Sequence, residues 1–67
     1  MSEKKELVIT TRDRVLRAWQ NSTELVRDFE VYSKEIDEKE IARMFDKFAE
    51  DEGHHAAKLL ELLHELS

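Results

Sequence analysis

Glu52 and His55 stand three residues apart, and both interrupt an apolar pattern that otherwise repeats at alternating intervals of four and three. On a helix this spacing sends both side chains from one face. A carboxylate set among apolar neighbours is expensive to bury alone, so something must compensate it. A divalent metal ion is one such partner, because zinc, manganese and non-haem iron all accept carboxylate oxygen and imidazole nitrogen. A hydrogen-bonded Glu–His pair without metal is the plainer alternative. Glu-x-x-His is a weak motif in an acid-rich chain; its weight comes from the place of both residues inside the apolar stripe.

The stripe reads Ile41, Phe45, Phe48, Glu52, His55, Leu59, Leu62, Leu66, and Met44, Ala56 and Leu63 widen it. It predicts a helix opened by Asp37, with Glu40 three residues on as the second half of a capping box. Gly53 is the one weak helix former inside it, at roughly 1 kcal/mol against Ala. Upstream, Val8, Thr11, Val15, Ala18, Ser22, Leu25, Phe29, Tyr32 and Ile36 keep the same rhythm, flanked by Leu7, Trp19 and Val26. The β-branched run from Val8 to Thr11 blurs the start of this first helix. Thr10 with Asp13 offers a later cap.

The pattern therefore predicts an all-α fold, a single domain over residues 1–67: a helix over about 6–35, a turn at about 35–37 and a helix over about 38–66. Each helix would run ~45 Å at 1.5 Å per residue. Such a long antiparallel helical hairpin leaves much of both stripes facing water. Dimerising into a four-helix bundle would bury them, so a homo-oligomer, dimer or larger, is expected.

Composition narrows the classes. The chain has 67 residues, one Gly, no Pro and no Cys, which disfavours turn-rich β folds and excludes disulfides and thiolate zinc sites. Eleven Lys and Arg against sixteen Asp and Glu leave a net charge of −5. That argues against binding nucleic-acid backbones or anionic lipid by bulk charge. No apolar run approaches the ~20 residues that span a bilayer, and MSEKKEL has no signal-peptide core. The expectation is a soluble cytoplasmic protein. A domain this small rarely builds a sufficient core without staples, metal or self-association, and here staples are absent.

Ile41-Ala42-Arg43-Met44-Phe45, then Phe48-Ala49-Glu50-Asp51-Glu52-Gly53-His54-His55-Ala56-Ala57-Lys58-Leu59-Leu60, resembles the metal-binding helix of rubrerythrins and other ferritin-like proteins. The shared pattern is I-A-x-x-F, a short interval, then A-x-x-E-x-x-H-A with Leu following. It covers about twenty residues. The whole chain is similar to half of a ferritin-like bundle, in the manner of encapsulated ferritins, whose hairpin-like subunits build a di-iron site across a subunit interface. The resemblance implies Glu52 and His55 as ligands of a ferroxidase-type or peroxide-handling centre. Iron is the implied metal, with manganese and zinc as alternatives.

The family takes a further Glu from its first helix. Counting back from Asp37 as far as Glu52 counts forward reaches Ser22, mid-stripe, where that Glu is expected. Glu24 is the nearest acid in sequence, but two residues on is about 200° around the helix. It joins the ligand set only if the turn departs from this count. Asp28 lies nearer the stripe edge, more than a turn toward the loop. Two chains on a twofold axis would still bring together two Glu52 and two His55. Those four donors suit a single divalent ion, or a poorer di-metal pair with Ser22 or water filling in. The expected function is thus a ferritin-like metal-binding protein with an intersubunit Glu/His site, oxidising iron or handling peroxide or oxygen if redox-active. The alternative is a metal-free helical hairpin for assembly, with a degenerate site.

Trp19 and Tyr32, at helical spacing, are expected in the core or an interface, as are Phe29, Phe45 and Phe48. His54 lies about 100° around from His55 and is expected to face solvent, as is His64.

Overall fold

The computed structural model describes residues 8–66, which form two helices, α1 over Thr11–Glu35 and α2 over Lys39–Glu65. They pack side by side as an antiparallel hairpin. The expected start of the first helix near residue 6 lies partly outside the described residues, and residues 8–10 are not helical. Thr10 is the N-cap. Its hydroxyl accepts from the Asp13 amide at 3.1 Å, while the Asp13 carboxylate accepts from the Thr10 amide at 3.0 Å. The capping box therefore settles the ambiguity of the β-branched run in favour of the later start, because it satisfies two amides that the first turn leaves unpaired.

α1 closes at Ile36, whose backbone is extended and whose amide donates to the Tyr32 carbonyl at 2.9 Å. α2 opens one residue later than the Asp37 count, with Glu38 as N-cap and no side-chain cap bond. The Asp37–Glu40 capping box does not form. With Glu38 at the cap, Asp37 falls one position too early for its carboxylate to reach the amides of the second and third helical residues. At the far end the Leu66 amide donates to the Leu62 and Leu63 carbonyls at 3.1 and 3.2 Å.

The seam between the helices differs from the stripe read above. The buried residues of α2 are Ala49, Ala56 and Leu63, each seven apart; in α1 only Ser22 is buried. Phe45, Glu52 and Leu59 alternate with them at half-burial. The residues one position earlier, Ile41, Phe48 and Leu62, stay 45 %, 40 % and 37 % exposed. The helix thus turns Ala49, Ala56 and Leu63 inward and the flank of Ile41, Phe48 and Leu62 outward.

That flank is one open face of the hairpin, and α1 adds Leu25 and Tyr32 to it. Toward the loop the face is aromatic. Phe29 contacts Phe45 and Phe48 with ring centroids 5.6 and 6.1 Å apart, and Tyr32 meets Phe45 edge-on at 5.7 Å. These tilted and edge-to-face geometries suit the ring quadrupoles. No side chain among the described residues is completely buried. No helix among them is long and apolar enough to cross a membrane.

Candidate metal site

Glu52 is the central residue of α2, and Ser22 is one short of the centre of α1. The antiparallel arrangement sets them level across the seam, as counting from the turn predicts. Here the open face sinks into a groove of about 480 Å³, lined by Ala18, Ser22 and Leu25 of α1 and by Glu52, His55 and Leu59 of α2. The aromatic cluster ends one turn before it, at Phe48. The groove exists because Ala18 and Ser22 present little bulk where the loop half of the face presents rings.

His55 Nδ1 lies 3.4 Å from Glu52 Oε2. That exceeds the 2.7–3.2 Å range of N–H···O bonds. The Glu52 side chain is 21 % exposed and the His55 side chain 64 %. The imidazole therefore stands at the open edge of the face rather than in the hairpin's core, where the apolar stripe had placed it. The reason is the seam itself: Ala56, the next residue, takes the inward position.

The other nearby charges are engaged. Asp51 accepts from Lys47 Nζ at 2.9 Å, and this contact raises the Lys47 pKa above its ordinary value. Lys58, three residues beyond His55 and also on the groove wall, reaches Glu61 at 3.4 Å. Both are exposed pairs one turn apart, worth little to stability. Lys58 was not singled out from the sequence, although its spacing from His55 is a helical neighbour's.

Ser22, 9 % exposed, is the buried polar residue of the seam. Glu24 is elsewhere: it is exposed and lines a separate surface hollow with Arg17 and Arg27. Of the four candidate ligands the structure thus gathers Ser22, Glu52 and His55 at one groove and leaves Glu24 outside it. His54 and His64 are both exposed. Among the described residues no three His, Cys, Asp or Glu side chains form a group that could hold a metal ion. One hairpin brings two such groups, Glu52 and His55, to the groove.

Compared with protein-family models, curated proteins and solved structures, the chain matches none. The ferritin-like resemblance is carried by the α2 residues Ile41–Leu60 and by the two-helix pattern of the chain.

Proposed function

We propose that the chain is a ferritin-like metal-binding hairpin that works as a homo-oligomer. Two copies stack open face on open face into a four-helix bundle, and Glu52 and His55 of both hold a divalent ion at the junction. The observation that carries this reading is the placement of the Glu52–His55 pair. Its two donor atoms stand 3.4 Å apart, within ion-pair range of each other and close enough to flank one ion. They do so on the face where Ile41, Phe48 and Leu62 are left exposed. A second copy covers those side chains and supplies the two donors that one chain lacks. Iron, manganese and zinc all accept this donor set.

The rival reading, a metal-free hairpin that serves assembly alone, draws on the same apolar face and on the Ser in place of a first-helix carboxylate. It gives the same oligomer with no metal. Calorimetric titration with Fe(II), Mn(II) and Zn(II) separates the two. Wild type is expected to bind, His55→Ala to lose binding, and His54→Ala to keep it, since only the helical phase differs between these neighbours. Equal losses in both variants would mean a surface His–His chelate. A wild type that binds no metal would leave the assembly reading.

A further inference from the structure

The two halves of the open face differ in shape. The half nearer the turn is a ridge of rings, Phe29, Tyr32, Phe45 and Phe48, whose contacting pairs have centroids 5.4–6.5 Å apart. The half away from the turn is hollow. It holds the groove of about 480 Å³ beside Ser22 and His55. A second hollow of about 560 Å³ adjoins it at Ala18 and Asn21 and continues past Arg14 to Ile9.

The edge of α1 that borders this face divides the same way in charge. Arg14, Asn21, Asp28 and Glu35 follow at intervals of seven, which on a helix keeps them along one line. Asn21 lines both hollows and fixes that line beside the open face. Arg14, with Arg17 a turn on, borders the hollow half; Asp28 and Glu35 border the ridge half. Asp28 and Glu35 have no ion-pair partner among the described residues.

Two such hairpins with aligned helices can meet face to face about a twofold axis in two ways. With both turns at one end, ridge meets ridge and hollow meets hollow, and Arg17 falls about level with Lys58 of the partner subunit, a like pair. With the turns at opposite ends, the rings of each copy lie over the hollows of the other. Interiors pack closely, and the second arrangement alone lets this face do so. It also matches charge. About an axis level with Asn21, Arg14 stands against Asp28 of the partner subunit, because each is seven residues from Asn21. Twofold symmetry makes that contact twice.

The face is large enough for such a partner. From Ile41 to Leu66 it runs about 38 Å, and two helices side by side are about 20 Å wide. That area approaches the ~800 Å² that each partner buries in a stable complex.

We infer that the open face is covered by a second copy laid with its turn at the opposite end, ring ridge over hollow, the basic half of each α1 edge against the acidic half of the other. The inference rests on the homo-oligomer of the reading above and not on its metal. The charges select the arrangement, since mismatched edges place like charges together.

The chain has no Cys, so a spin label on Asp37→Cys reports on the turn alone. Asp37 is sixteen residues from Asn21. Turns at opposite ends therefore put the two labels about 48 Å apart in dipolar electron resonance, and turns at one end put them within about 25 Å. Arg14→Glu and Asp28→Arg should each weaken association about tenfold by sedimentation equilibrium, with helicity unchanged, and the double variant should recover most of the loss. A label distance under about 25 Å, or a double variant as weak as either single, would overturn the arrangement and leave the homo-oligomer standing. Should the Cys variant not associate, the charge reversals decide alone. A monomeric wild type would overturn both.

Discussion

The two flanks of α2 repeat at the same interval of seven and sit one residue apart, yet they do opposite things. Ala49, Ala56 and Leu63 are buried against α1, whereas Ile41, Phe48 and Leu62 remain on the open face. His55 belongs to the second series and is exposed with it. Phe45, Glu52 and Leu59 lie between the series and are half-buried by the hairpin alone. The contrast teaches that burial in the hairpin follows position rather than size: two alanines and a leucine turn toward α1, while an isoleucine, a phenylalanine and a leucine one step away do not. A lone hairpin needs close backbone approach along one seam. A second layer needs side chains long enough to cross the gap between layers.

The largest expected effect tests the outer flank. Phe48→Ala should reduce the stability of the proposed pair by about 3 kcal/mol, near the value for a buried ring. The loss should depend on protein concentration, read by sedimentation equilibrium and urea unfolding. Leu60→Ala removes a residue of similar exposure, 36 %, from the other side of the seam and should change the association little. If Phe48→Ala loses only ~1 kcal/mol, independently of concentration, the open face is not where a second copy sits.

The inner flank should respond to the opposite change. Ala56→Leu adds bulk at a buried position of the seam and is expected to destabilise by about 2 kcal/mol through overpacking. Ala57→Leu, exposed one residue on, should stay within about 0.5 kcal/mol of wild type. Urea unfolding of both variants makes the measurement. A tolerated Ala56→Leu would mean that small residues are not what the seam requires.

The smallest effect sharpens the comparison by leaving both flanks untouched. Thr10→Ala removes one half of the capping box and should destabilise by about 1 kcal/mol. The Thr10 amide and hydroxyl hold the Asp13 pKa below its ordinary value of 3.8. A carboxylate so lowered adds stability above its unfolded pKa, and that contribution is lost as pH falls through the folded value. Wild type should therefore lose part of its stability on acidification below about pH 4, and Thr10→Ala should show a weaker dependence over the same window. Thermal unfolding across pH 2–6 checks this, and parallel curves for the two proteins would remove the box as their source.

Much of the architecture was legible from spacing alone. The absence of Pro, the three–four rhythm on both sides of residues 36–38 and the Thr10–Asp13 pair determine two long helices and one tight turn. Local physics suffices there, because helical periodicity and caps act within a few residues. The same rhythm placed Glu52 and His55 on one edge of a helix and Ser22 level with Glu52, since an antiparallel hairpin pairs residues at equal distances from its turn. Which flank of the α2 stripe would turn inward was not legible. Phe48 and Ala49 both continue an apolar heptad through Phe45 and Glu52, and hydrophobicity favours the Phe. The tertiary structure chose the Ala: Ala49 is buried against α1 and Phe48 is left 40 % exposed. That choice rotates His55 to the edge of the open face, whereas the buried Ser22 and the outlying Glu24 stand where helical spacing alone predicts. No local pattern encodes that rotation; it follows from how α1 and α2 share one narrow contact.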